Sequence, residues 1–308
     1  MPIPTRLIVW LTLAIGLVLT TVASGATSDR APGAVDLSFK LDADQTHRFE
    51  YAVTSTQAMS AFGQNQTSKT TMGAVIELVR LPSEQSADQV VVGLTYRQLS
   101  ISFDGGQVPG SFDSKNPAPA DQGNVYAEVC RPLLNEQIRL VVDARGSIKQ
   151  VEGLDALAPD GLAGVLFGQL FGPEASKAMF QPLLSILDEG SPNRSVSDTW
   201  QVERPAVSSL GVPASPVELR VLEIQPRTSI AVLSVSGEPK AEMPADASVL
   251  PNVETREASL TGRLHWNAQL GILESLETES ITEMVSDAQG ISITVKSAST
   301  TRVKRLSQ

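Results

Sequence analysis

The chain of 308 residues carries 34 acidic against 24 basic side chains, a formal net charge of −10 at pH 7. This acidic balance argues against nucleic-acid binding, which needs a basic surface. The single cysteine, Cys130, excludes an internal disulfide, so the fold must rest on an apolar core, which a chain of this length can bury.

The first 26 residues have the pattern of an export signal. Arg6 precedes an apolar run, Leu7 to Leu19, and small residues follow at 23–26. The pattern predicts a signal peptide over 1–26 that is cleaved at 25 or 26; the alternative is a membrane anchor, which normally needs about 20 apolar residues. We therefore expect an exported protein, periplasmic or extracellular, without a transmembrane span after cleavage.

The composition of 27–44 predicts a flexible leader, and 45–308 then forms a single β-rich domain. Apolar and polar residues alternate from His47 onward, which is typical of a strand with one buried face. The next strands are expected over Thr70–Arg80 and Gln89–Phe103. Three stretches give weaker strand signals. Gly63–Ser68 is interpreted as a turn or loop and Ser111–Gln122 as a loop. Gly123–Leu134 is interpreted as either a strand or a short helix.

A hairpin and then a helical insert occupy the middle of the chain. Asp143-Ala144-Arg145-Gly146 predicts a type I turn with a bulge, because glycine supplies the positive φ. The insert spans 155–188, where apolar residues recur at helical spacing. Gly172-Pro173 should end one helix and begin a second.

Strands resume at Thr199 and continue to Val303. The expected strands are Thr199–Arg204, Val217–Ile224, Ser229–Val235, Arg256–Trp266, Ile272–Met284 and Ile291–Val303. The last one alternates apolar with polar residues, as in an antiparallel sheet that is wet on one face. The charges of Arg302, Lys304 and Arg305 favour a solvated edge strand there.

Two near-identical turns flank the helical insert. Asp143-Ala144-Arg145-Gly146 before it is matched by Asp-Ala-Gln-Gly at 287–290, and 267–271 is a looser third copy. The copies indicate either two related halves or simply convergence, since Asp-x-x-Gly is what such turns require.

The sequence offers little catalytic or metal-binding chemistry. His47 and His265 lie on strands in different halves, without metal-ligand spacing, and are interpreted as surface or strand-edge residues. Nucleophile-elbow and phosphate-loop motifs are missing, so we expect no enzyme activity, metal or cofactor. Cys130 is interpreted as a structural thiol. One strand carries four carboxylates. Glu277, Glu279 and Glu283 share a face under strict alternation, which predicts a solvated polar face, and Glu274 lies opposite.

The order of elements resembles the periplasmic lipoprotein-carrier fold (LolA- and LppX-like). The matching features are strands over His47–Phe103, the hairpin at 143–146, the helices at 155–187, and the re-entry Ser197-Asp198-Thr199-Trp200. The chain also resembles a family of exported bacterial proteins that share this Asp-Thr-Trp re-entry and the Asp-x-x-Gly hairpin. The resemblance implies a curved antiparallel sheet or half-barrel with helices on its open side. It identifies no functional residue.

The predicted fold is therefore mainly β with a central helical insert (α+β), in which two helices pack on the concave face of a curved antiparallel sheet. Such an arrangement favours an apolar cleft that binds or carries a lipid or another apolar ligand. The alternative is an envelope structural or interaction module with a solid core. Eight apolar residues of the helices are the candidates to line the cleft: Leu162, Leu166, Phe167, Leu170, Met179, Phe180, Leu183 and Leu184.

Overall fold

Long strands whose side chains alternate between a buried and an exposed face dominate the structure. The computed structural model describes residues 33–43, 45–61, 63–82, 89–105, 109–117, 123–187, 190–205, 215–239, 253–288 and 291–307. The predicted signal peptide lies outside these residues, as does the end of the turn at 287–290. In the part of the chain that is described, no helix is both long and apolar enough to cross a membrane.

The strands and helices follow one another as a strand-rich half, a helical segment and a second strand-rich half. The strands are β1 (Val35–Asp36), β2 (Thr46–Ala61), β3 (Gln64–Leu81), β4 (Gln89–Asp104), β5 (Gly110–Asp113), β6 (Gln137–Asp143), β7 (Ile148–Glu152), β8 (Asn193–Arg194), β9 (Thr199–Arg204), β10 (Ser215–Gln225), β11 (Ile230–Gly237), β12 (Val253–Asn267), β13 (Ile272–Ala288) and β14 (Ile291–Leu306). The helices are α1 (Val125–Cys130), which continues into a 3₁₀ turn (Arg131–Leu133), α2 (Gly161–Phe171) and α3 (Pro173–Leu184).

Twelve of the described strands form one antiparallel sheet, in the order β7-β6-β4-β3-β2-β14-β13-β12-β11-β10-β9, with β5 added to β4. Each half of the chain is a meander, and the first long strand pairs with the last one at the centre of the sheet. The predicted class, mainly β with a helical insert and a curved antiparallel sheet, is confirmed. The predicted edge position of the last strand is wrong, because β14 has a neighbour on either side.

Three local predictions differ from the structure. In the described part of the leader, β1 pairs with β8 and Leu37 is fully buried, because apolar residues alternate here as in a strand. The turn or loop expected over Gly63–Ser68 is shorter than predicted, because β3 already begins at Gln64. The loop expected from Ser111 begins as β5, and the ambiguous stretch that follows it contains α1.

Asn124 explains why a helix begins in that ambiguous stretch. Its side-chain oxygen accepts a hydrogen bond from the backbone N–H of Tyr126 at 3.0 Å, which satisfies one of the free donors of the first turn. Val129 and Cys130 are fully buried, so the helix is also held by packing.

Helices α2 and α3 pack against β4 through aromatic side chains. The ring of Tyr96 on β4 meets Phe171 of α2 at 5.9 Å and Phe180 of α3 at 6.0 Å, both edge-on, the geometry that aromatic pairs prefer. The break between the helices lies at Gly172-Pro173, as predicted. Ser176 stabilises it by donating its hydroxyl proton to the Phe171 carbonyl oxygen at 2.7 Å.

The turn between β6 and β7 attaches to the end of α3. Gly146 has a φ of +82° and donates its N–H to the Asp143 carbonyl oxygen at 2.9 Å, as the predicted turn requires. Gln181 of α3 donates to the Gly146 carbonyl at 3.0 Å and accepts from the Ile148 N–H at 2.8 Å. A Cβ at Gly146 would overlap the Leu184 carbonyl oxygen.

We expect Gly146→Ala to destabilise the protein more than Gly63→Ala does. Both glycines have positive φ, which costs a residue with a side chain about 1–2 kcal/mol, but a Cβ at Gly63 would meet no neighbouring atom. The steric overlap at Gly146 should add about 2 kcal/mol. Urea unfolding of the two variants measures the difference in their free energies of unfolding. Equal losses of stability would mean that a side chain at Gly146 does not clash with the end of α3.

Candidate ligand-binding cavity

A cavity of about 460 Å³ lies between the end of α3 and the inner face of the C-terminal half of the sheet. Its volume falls within the usual range for small-molecule sites, about 300–1,000 Å³. Its apolar wall comes from the segment after α3 and from β9 to β13: Ile186, Leu187, Val202, Val217, Leu219, Val235, Leu264 and Leu276. Polar groups at its boundary include Lys177, Gln181, Arg204 and Thr278.

Trp200 fixes the chain that leads from α3 to the sheet. Its indole N–H donates to the Ile186 carbonyl oxygen at 2.7 Å, and the Arg194 guanidinium lies over its ring at 4.6 Å. Trp200 and Val202 project from β9 toward the inner face, together with Arg204 two residues further on. The Asp-Thr-Trp re-entry noted in the sequence therefore leads directly into the part of β9 that lines the cavity, which begins at Gln201.

Arg204 reaches across the concave face. Its guanidinium donates to the hydroxyl oxygens of Thr278 on β13 at 3.4 Å and of Thr301 on β14 at 3.5 Å. In sheet order β13 is four strands from β9, a separation of about 19 Å in a flat sheet. An arginine side chain cannot span that distance, so the contact shows how strongly the sheet curls.

The inner face around Thr278 and Thr301 is rich in hydroxyl groups. These two residues are direct cross-strand partners, and the neighbouring Ser280 and Ser299 share a hydrogen bond of 2.7 Å. The ring of Tyr51 on β2 is also buried here, and burial raises its pKa to about 12, so the phenol stays protonated at neutral pH. Hydroxyls supply hydrogen bonds to Arg204, but no negative charge.

The eight candidate lining residues do not line this cavity, and six of them lie in the core. Phe167, Leu170, Met179, Phe180, Leu183 and Leu184 are buried. Leu166 packs partly buried against the core, and Leu162 on the outer side of α2 is 61% exposed. The helical insert lines the cavity instead through Lys177, Gln181 and Pro182 of α3 and through the residues that follow this helix.

Sequence reasoning missed Arg204 and the apolar residues of β9 to β13. A signal for Arg204 was present, because it continues the buried phase of the strand Trp200-Gln201-Val202-Glu203-Arg204. An arginine in phase with a tryptophan and a valine is directed toward the inner face, not toward solvent.

The other candidate residues lie elsewhere in the structure. Burial raises the pKa of the Cys130 thiol to about 12, which agrees with a structural role. Glu274, Glu277 and Glu283 form ion pairs with Arg305, Arg302 and Lys296 at 2.7–2.8 Å, and Glu279 is exposed. Among the residues described, no three His, Cys, Asp or Glu side chains are placed to hold a metal ion.

His47 is buried at 4% exposure, so its prediction as a surface or strand-edge residue is wrong. It belongs to the inward phase of β2, which has strands on both sides, whereas His265 on β12 is only half-buried. Burial and then the charge of Arg305 lower the pKa of His47, although Asp42 and Glu274 oppose this.

Comparison with known proteins adds little to this geometry. No family model matches the chain, and neither does any curated protein. Among solved structures, the chain is similar to DynF from the dynemicin biosynthesis pathway of Micromonospora chersina, with 8% sequence identity and a TM-score of 0.21, over 86% of this chain and 83% of that chain. A TM-score of this size does not establish a shared fold.

We expect protonation of His47 to destabilise the fold in mildly acidic solution. Its pKa in the folded protein lies below the unfolded value of about 6.5, so the unfolded chain takes up the proton first. Stability should be full above about pH 6.5 and fall as the pH drops toward the folded pKa. The melting temperature between about pH 7.5 and about pH 5.5 should decline less in His47→Gln than in the wild type; parallel curves would contradict this assignment.

Proposed function

We propose that the protein binds an apolar small molecule in the cavity between α3 and the C-terminal half of the sheet. The observation that carries this proposal is the cavity wall itself, in which apolar side chains from β9 to β13 line open space. Removing an apolar ligand from water onto such a wall is favourable by about 25 cal/mol per Å² of buried surface.

The two halves of the sheet differ in how their inner faces are filled. In the N-terminal half, Tyr96, Phe171 and Phe180 interlock and each is less than 2% exposed. This packing favours the alternative function, a structural module with a solid core, for that half alone. The C-terminal half leaves about 460 Å³ open, which supports ligand binding there.

We also propose that the protein acts outside the cytoplasm, as a binding or carrier protein without catalytic activity. The sequence pattern of an export signal at 1–26 supports the location. The resemblance in element order to lipoprotein carriers supports the role, with a lipid or another apolar molecule as the ligand. The proposal assigns no catalytic residue.

A series of linear alcohols tests the apolar site. Each added methylene that enters the cavity should strengthen binding by about 0.8 kcal/mol, or about fourfold in Kd. Octanol, decanol and dodecanol should therefore bind with increasing affinity in isothermal titration calorimetry and should raise the melting temperature in the same order. Absence of binding by all three would refute the proposed function.

Filling the cavity should abolish binding of the alcohols. Val202 is half-buried on β9, an edge strand, and lines the cavity, so Val202→Trp can occupy the space with little overpacking. We expect decanol affinity to fall at least about tenfold, a loss of about 1.4 kcal/mol. Thr199→Trp is the matched control, because Thr199 is exposed on the same strand and does not line the cavity. Equal effects of both variants would place the ligand elsewhere.

A further inference from the structure

Arg204, at the end of β9, lacks the kind of acidic partner that Arg97 on β4 and Arg302 and Arg305 on β14 have. Arg97 pairs with Glu77 at 2.7 Å, Arg302 with Glu277 at 2.7 Å and Arg305 with Glu274 at 2.8 Å. Among the described residues, Arg204 forms no ion pair with a carboxylate. The chain has 34 acidic residues, so the missing partner does not reflect a shortage of carboxylates.

The hydrogen bonds of the Arg204 guanidinium are also incomplete. A guanidinium has five N–H donors, and the two contacts with Thr278 and Thr301, at 3.4 and 3.5 Å, are longer than the usual 2.9–3.0 Å. Part of the side chain stays accessible from the cavity, which it lines, while protein surrounds the rest. Burial lowers the pKa of Arg204, since a charge removed from water is destabilised unless it is compensated.

The apolar wall and the half-buried Arg204 belong to one cavity. Val202 and Arg204 both line it from β9, and Leu276 and Thr278 both line it from β13. A ligand that satisfies both parts has an apolar body and a negatively charged end. A carboxylate fits the charged end, because its two oxygens match the guanidinium fork and its single charge balances a single arginine.

We propose that the ligand is a long-chain carboxylate whose head group binds Arg204 and whose hydrocarbon chain lies along the apolar wall. The hydroxyl of Thr278, which lines the cavity beside Arg204, is placed to donate a hydrogen bond to the same head group. This inference rests on the proposed function, since it names the class of molecule that the cavity takes.

Two ligands of equal chain length separate the head-group inference from the proposed function. Decanol probes the apolar wall alone, and decanoate probes the wall together with Arg204. By titration calorimetry at neutral pH, the wild type should bind decanoate at least about tenfold more tightly than decanol, the gain expected from a charge-assisted bidentate pair. Equal affinities would overturn the head-group inference and leave the apolar site intact, whereas failure of both ligands to bind would overturn both.

Arg204→Gln should remove the preference for the carboxylate. Loss of one partner of a buried charge pair weakens binding by at least about 30-fold, so decanoate affinity should fall by that factor while decanol affinity changes less than about threefold. Equal losses for both ligands would show that Arg204 only holds the curled sheet together, and would refute the proposal. Because the ratio of the two affinities is compared within each variant, a general loss of stability does not affect the result.

Three further measurements sharpen the outcome. Lys177→Gln is the matched control, because Lys177 is the cation on α3 that lines the same cavity. A loss of the preference for decanoate in this variant, and not in Arg204→Gln, would overturn the assignment to Arg204.

If Arg204→Gln does not fold, Arg204→Lys is the second variant, since it keeps the positive charge but lacks the two parallel N–H donors of the guanidinium. It should reduce the preference for decanoate over decanol partially; an unchanged preference would refute the bidentate contact. Tighter binding of decyl phosphate than of decanoate would refute the carboxylate.

Discussion

The pairing of β2 with β14 is the constraint on which the rest of the architecture depends. It places the first and last long strands side by side, from Arg48 opposite Leu306 to Ser60 opposite Thr294. Each half of the chain then extends outward as a meander, so β7 and β9 become the two edges of the sheet. The helical segment joins these edges, and its buried apolar faces hold it on the concave side.

The cavity follows from an uneven distribution of side-chain volume across that concave side. Near β4, aromatic rings from α2 and α3 fill the interior, whereas α3 contacts β13 and ends at Leu184, next to the cavity that β9 to β13 line. The inner face of β13 and β14 carries Ser and Thr, which are too small to fill the space that the helix leaves. Arg204 extends into this region from the edge strand and brings a charge to the end of an apolar wall.

Local patterns in the sequence predict the strands, the turn at Asp143–Gly146 and the helix break at Gly172-Pro173, because each depends on neighbouring residues alone. Strand order depends on pairing between distant segments, and no local pattern encodes it. The charges at Arg302 and Lys304 illustrate this limit: alternation shows that one face of β14 is wet, but not whether the strand has one neighbour or two. Similarly, the helical stripes identify the core residues Phe180 and Leu183, whereas the position of the cavity depends on where α3 ends relative to a curled sheet.

The central position of β14 also has a consequence for how the chain folds. During synthesis, β2 to β4 can form as a meander long before β14 exists. The edge of β2 that pairs with β14 stays unpaired while the roughly 230 residues between these two strands are made. An unprotected strand edge of this length can pair with another copy of the chain, and closing such a distant pairing is slow. Early release or truncation before Ile291 would expose the middle of the sheet rather than its margin, so the intermediate most prone to aggregation should be the chain that lacks only its last strand.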